Sequence, residues 1–223
     1  MKKNVIVITL SLIHIYIPGI GMDTLAIQQM PPLHELKKLY KIPKDAFLFV
    51  SVGEINKNKN HMTIIKALES LNNRKLWYLI CGEGALEQSY RTYIRDHQLQ
   101  VILLGQRNDV PAILKMCDVF IFPSLREGLG LAALEAMACG LPLITSNVHG
   151  ICDYAQDGVS AITCDPDDGQ AFANAMLKMF EDHNLRNLLS ANNVKAVKKY
   201  DIHRIENEML SIYKKHIKGD WHE

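Results

Sequence analysis

Between residues 47 and 164, short runs of β-branched, aromatic and aliphatic residues alternate with longer stretches whose apolar positions recur every three or four residues. The short runs, at 47–52, 76–81, 101–104, 119–122, 141–145 and 161–163, have the composition of strands. They are nearly continuous in apolar character, as strands covered on both faces require. The intervening segments 61–71, 85–97, 110–116, 131–139 and 167–182 read as helices, and 184–200 and 202–217 add two polar, lysine-rich ones. This alternation predicts βαβ units. The expected fold class is therefore α/β, a Rossmann-like parallel sheet with helices on both faces.

Gly53, Gly82, Gly105 and Pro123 close four of the expected strands. In open parallel sheets ligands bind outside the carboxyl ends of the strands, so these positions and the segment 123–130 should converge on one crevice. Ahead of the alternating region, Met1-Lys2-Lys3 leads into an apolar run at 4–17 that ends at Pro18-Gly19. Two readings stay open for it: a buried strand, or a membrane-associated segment. It is short for a bilayer span, contains Thr9, Ser11 and His14, and lacks a small-residue cleavage site. The expected organisation is 1–45 as an N-terminal strand and lead-in, 46–200 as the Rossmann-like domain, and 201–223 as a C-terminal helix and tail.

The 223 residues carry 25 basic and 24 acidic side chains, a formal charge of +1, which gives no basic groove for nucleic acid. Five cysteines, odd in number and mostly set in apolar runs, read as reduced thiols of a cytoplasmic protein. No cysteine or histidine spacing suggests a metal site. Asp165-Pro166-Asp167-Asp168 precedes a helix, where aspartates serve as caps and turn formers.

The most informative chemistry lies in Arg126-Glu127-Gly128-Leu129-Gly130-Leu131, continued by a helix carrying Glu135. A glycine-rich turn that opens a helix offers backbone amides to phosphate, and a carboxylate on either side can accept hydrogen bonds from sugar hydroxyls. That combination suits a sugar nucleotide.

Six segments together resemble the C-terminal, nucleotide-sugar-binding domain of retaining GT-B glycosyltransferases, the family-four group of capsule and exopolysaccharide enzymes. They are Pro18-Gly19-Ile20-Gly21-Met22-Asp23, the stretch from Val52-Gly53-Glu54 to Asn60-His61, Cys81-Gly82-Glu83-Gly84, Leu104-Gly105-Gln106-Arg107, Asp118-Val119-Phe120-Ile121-Phe122-Pro123 and the double-glutamate segment. The resemblance implies that Glu127 contacts the donor sugar as the catalytic residue, that amides of Gly128, Leu129, Gly130 and Leu131 meet the diphosphate or sugar, and that Glu135 holds the ribose diol. It further implies that Lys59, after the first strand, neutralises the diphosphate, that Gly53 belongs to the donor site, and that Gln106 and Arg107 lie near the base. Glu54 stands where many relatives carry an arginine, a departure shared with the exopolysaccharide subgroup. His149 replaces a basic residue of that subgroup.

The implied donor is a nucleotide-diphosphate sugar, bound without metal or other cofactor, and the implied acceptor is a glycan or lipid-linked molecule. The expected location is cytoplasmic, including the inner face of the membrane. A GT-B enzyme has a second, N-terminal Rossmann-like domain, and the residues before 47 are too few for one. Three readings therefore stand: a donor-binding half that works with a separate N-terminal GT-B domain, a truncated fragment that binds without transfer, and a GT-B-type sugar-nucleotide epimerase. Self-association through the C-terminal helix is a further expectation. A nicotinamide dehydrogenase is disfavoured, since no G-x-G-x-x-G follows the first strand of the domain.

Overall fold

The computed structural model describes the backbone of residues 6–10, 13–17 and 21–217, and side chains from 21 to 214. The N-terminal apolar run holds two strands where one was expected. β1 (Ile6–Leu10) and β2 (Ile13–Ile17) pair antiparallel, with Ile6 opposite Ile17 and Leu10 opposite Ile13. Pairing gives each strand acceptors and donors that a lone strand would have to find elsewhere. The hairpin forms a sheet of its own.

Two short helices that the sequence pattern did not suggest follow, α1 (Thr24–Gln29) and α2 (Glu35–Leu39). Asp23 caps the first by accepting a hydrogen bond from the Ala26 amide at 2.8 Å. The alternating region then runs β3 (Phe47–Val52), α3 (His61–Leu71), β4 (Leu76–Cys81), α4 (Glu87–Asp96), β5 (Val101–Gly105), α5 (Val110–Leu114), β6 (Val119–Phe122), α6 (Leu131–Ala138), β7 (Leu143–Ser146), β8 (Ala161–Cys164) and α7 (Gly169–Glu181). Asp168 caps α7 through the Ala171 amide, and Asp165 accepts from the Asp167 amide, so the acidic run there forms turns and a cap. α8 (His183–Ala196) ends earlier than expected. Its last turn tightens into a 3-10 segment, Val197–Tyr200, before α9 (Ile202–Ile217).

The central sheet has six parallel strands in the order β5-β4-β3-β6-β7-β8. Alternate side chains enter opposite layers, as the two-residue period of a strand dictates. Leu48, Val50, Phe120 and Phe122 join a core roofed by α2, α5 and α6, while Phe47, Phe49, Val119 and Ile121 join one roofed by α3, α4 and α7. Each fully buried Leu, Ile or Phe contributes about 2 kcal/mol by leaving water. Chain order reverses between the neighbours β3 and β6, since the chain moves outward to β5 on one side and to β8 on the other. Loops leaving a reversal point diverge and leave a crevice at the carboxyl ends of its two strands.

The last helix is tied back to the start of the domain. The Met22 amide donates to the Tyr200 carbonyl, the Ile202 amide donates to the Met22 carbonyl, and the Thr24 hydroxyl donates to Asp201.

Candidate functional site

Two loops meet above the reversal point, 53–60 after β3 and 123–130 after β6. They are stitched together by the Leu125 amide, which donates to the Asn58 carbonyl at 2.8 Å, and by the Asn58 side-chain amide, which donates to the Arg126 carbonyl at 3.0 Å. Between them the Lys59 ammonium donates to the Glu127 carboxylate at 2.7 Å. Their side chains are 21% and 16% exposed, so the pair is largely desolvated. The Lys59 stem lies against Gly53, where a Cβ would stand 3.2 Å from Cδ and Cε, and its ammonium sits 4.9 Å from the centre of the Phe122 ring.

Glu127 leads into the turn that opens α6. Gly130, the residue before the helix, has φ +69°, and a Cβ there would lie 2.7 Å from both Phe122 Cε1 and Tyr154 Oη. Only glycine adopts that conformation in that space without strain. The amides of Gly128, Leu129, Gly130, Leu131 and Ala132 have no acceptor among the described residues, as expected at a helix start. They supply the positive end of a helix dipole at the mouth of the crevice. The loop after β7 backs this turn so closely that a Cβ on Gly150 would stand 1.9 Å from the Gly128 carbonyl oxygen.

Glu135 lies one turn beyond Leu131, about 6 Å further along the helix. Cys139, another turn on, donates its thiol to the Pro111 carbonyl, so this side of α6 faces α5. The Leu131 side chain itself is 41% exposed. Half-burial raises the pKa of Glu135, and its carboxyl has no cation or hydrogen-bond donor among the described residues. A half-buried acceptor without a partner is a candidate for ligand binding.

The remaining expected site residues fall further out. Gln106 is exposed, and its amide donates to Glu83 at 3.3 Å. Arg107 is held by Asp109 through two hydrogen bonds of 2.8 and 2.7 Å, and it lines a cavity of about 530 Å³ with Leu33, Leu36 and Leu39. A second cavity of about 480 Å³ lies beside Asp153, Asp157 and Lys199. Neither is lined by Lys59, Glu127 or Glu135. His149 is exposed. No cluster of metal-ligating side chains occurs among the described residues. Among them, no helix is long and apolar enough to cross a membrane.

Three features escape the sequence pattern. The Lys59–Glu127 pair joins residues 68 positions apart. His61 is buried beneath the Lys59 loop with Nδ1 unpaired, and burial, followed by the Lys59 charge, lowers its pKa to about 3. Tyr154 is buried with its hydroxyl unpaired, and burial, followed by the Glu127 charge, pushes its pKa far above the tyrosine range.

Six parallel strands with helices on both faces and a reversal of chain order between β3 and β6 define a Rossmann-like domain. Residues 34–196 match the family of glycosyl transferases group 1, and the chain belongs to that family. It is 34% identical, over 70% of its own length and 42% of the relative's, to the UDP-Gal:alpha-D-GlcNAc-diphosphoundecaprenol alpha-1,3-galactosyltransferase of Escherichia coli. It is 28% identical to the putative glycosyltransferase EpsD of Bacillus subtilis, over 92% of this chain and 55% of that one. The chain thus spans about half the length of these relatives.

Among solved structures, Anabaena Alr3699/HepE in complex with UDP and glucose superposes with a TM-score of 0.78 at 22% identity, covering 87% of this chain and 55% of that one. The C-terminal domain of the Francisella tularensis group 1 glycosyl transferase LpcC superposes at 0.69 and 23% identity, covering 82% of this chain and 100% of that one. These likenesses fix the fold.

Proposed function

We propose that this chain is the C-terminal, donor-binding domain of a retaining glycosyltransferase that takes a nucleotide-diphosphate sugar. The observation that carries the reading is the meeting of a lysine and a carboxylate, Lys59 and Glu127, beside five acceptorless amides at the reversal point of the sheet, with Glu135 one turn into the helix those amides open. Cation and amides suit a diphosphate, and carboxylates suit hydroxyl groups. In this reading Lys59 and the amides of Gly128 to Leu131 hold the diphosphate, Glu127 orients the sugar and Glu135 receives the ribose hydroxyls. Gln106 and Arg107 lie beside the base, with Arg107 fixed in place by Asp109.

Transfer breaks the bond between the sugar's anomeric carbon and the diphosphate oxygen, and an acceptor oxygen takes its place on the same face of the ring. Negative charge grows on the departing diphosphate as that bond lengthens. The Lys59 ammonium and fixed amide dipoles stabilise that charge without a metal ion. The acceptor in this proposal is a glycan or lipid-linked molecule bound by the other half of the whole protein, which works at the cytoplasmic face of the membrane. The E. coli galactosyltransferase, whose name includes a diphosphoundecaprenol acceptor, supports that choice.

Amide chemical shifts test the donor site. Adding UDP, GDP or ADP to nitrogen-15-labelled chain should move the resonances of Gly128, Gly130 and Leu131 more than those of the solvent-facing α4. Shifts confined to the Arg107 cavity would locate nucleotide elsewhere and refute the assignment.

A further inference from the structure

Resting on the donor-binding reading, the inference concerns Tyr154, a residue outside the expected site. Only 5% of it is exposed, and its hydroxyl, shielded from solvent, has no hydrogen-bond partner. An unpaired buried hydroxyl costs stability, so its survival in a packed corner calls for a state in which it is bonded. Its surroundings point to that state. The position a Cβ would take on Gly130 lies 2.7 Å from Tyr154 Oη and 3.2 Å from Glu127 Cγ, so the two side chains meet around the same turn less than about 6 Å apart. The carboxylate extends beyond Cγ, within reach of the hydroxyl after a side-chain rotation.

In the free chain Glu127 has no need of Tyr154, because the Lys59 ammonium holds it at 2.7 Å. A bound diphosphate competes for the same ammonium, with more charge and more acceptors. Once Lys59 turns to phosphate, Glu127 becomes a largely buried carboxylate without its cation. The Phe122 ring on the other flank offers no hydrogen bond.

We propose that the Tyr154 hydroxyl takes over the Glu127 carboxylate when a diphosphate draws Lys59 away, which makes Tyr154 a positioning residue for Glu127 in the donor-bound state. The exchange moves no covalent bond: one ammonium hydrogen bond is replaced by one phenolic hydrogen bond. It keeps the carboxylate aimed at the sugar site while the lysine serves the phosphates.

The test is a double-mutant cycle in nucleotide affinity, measured by calorimetry with whichever of UDP, GDP and ADP binds the wild-type chain. Tyr154→Phe should weaken binding about tenfold, the value of one hydrogen bond to a charged group. In the Glu127→Gln background the same change should cost less, because a neutral amide oxygen accepts more weakly than a carboxylate. The melting temperature of the free Tyr154→Phe chain should stay level or rise, because the hydroxyl is unpaired there. Equal affinity of wild type and Tyr154→Phe would overturn the proposal, as would an equal loss in the Glu127→Gln background or a lower melting temperature. A carbon-13 label on the tyrosine Cζ gives an independent readout in the unmutated chain: the Tyr154 resonance should shift on nucleotide addition, and by less in Glu127→Gln. If no nucleotide binds the wild-type chain, the donor-binding reading fails, and this inference with it. If nucleotide binds and the cycle shows no coupling, only the role of Tyr154 fails.

Discussion

Replacing Lys59 by Met and Glu127 by Gln, singly and together, probes the ion pair on which the site is built. At 2.7 Å the Coulomb attraction is about 6 kcal/mol at an effective dielectric of 20, but both charges surrender most of their hydration to make it. The net coupling expected for a pair this buried is about 1–3 kcal/mol. Lys59→Met keeps the stem against Gly53 and Phe122 and leaves the carboxylate without its cation, with at most the neutral Tyr154 hydroxyl in its place, so it should cost about 2 kcal/mol. Glu127→Gln strands the ammonium and should cost a similar amount. The double variant strands neither charge. Urea denaturation of all four proteins gives the coupling directly, and the double variant should be more stable than the sum of the single losses by at least about 1 kcal/mol. Strict additivity would mean that the contact contributes nothing to the free chain and would refute the reasoning.

Two further expectations follow from groups packed around the same loops. His61, ordinarily near 6.5, is held at about 3, so between those values the unfolded chain binds a proton that the native chain refuses. Its contribution is complete above pH 6.5 and declines as pH falls, by up to about 1.4 kcal/mol per unit; His61→Gln should flatten the stability profile between pH 6.5 and 4, and an unchanged slope would exclude His61 as its source. Gly130→Ala combines a left-handed conformation with a contact of 2.7 Å to the Phe122 ring, so it should lower stability by about 2–4 kcal/mol in urea melts; a loss below about 1 kcal/mol would show that the turn relaxes freely.

Much of the fold was legible because parallel strands buried on both faces leave a strong local signal. β3, β4, β6 and α3 have the boundaries that the apolar runs and their glycine and proline stops indicate. The short helices α1 and α2 were not legible, since five or six residues hold too little of a 3.6-residue period to stand out beside Pro31-Pro32. The hairpin of β1 and β2 was hidden for a related reason, as apolar composition alone does not show where a strand doubles back.

At the site, the glycine-rich turn and Glu135 could be found from residue type and spacing along one segment. The contact of Lys59 with Glu127 could not, because it depends on β3 and β6 becoming neighbours across 68 residues. Tyr154 was equally hidden. It lies in a loop without periodicity, and it gains meaning only where Gly150 presses that loop onto the Gly128 carbonyl.

The central claim, a nucleotide-sugar donor site at the start of α6, is tested most directly by titrating UDP, GDP and ADP into the folded chain and into Glu135→Ala by calorimetry. The account predicts heat with at least one nucleotide, and a loss of about 1–3 kcal/mol in the variant as the ribose hydroxyls lose a charged acceptor. No heat with any of the three, or equal affinity in the variant, would contradict it.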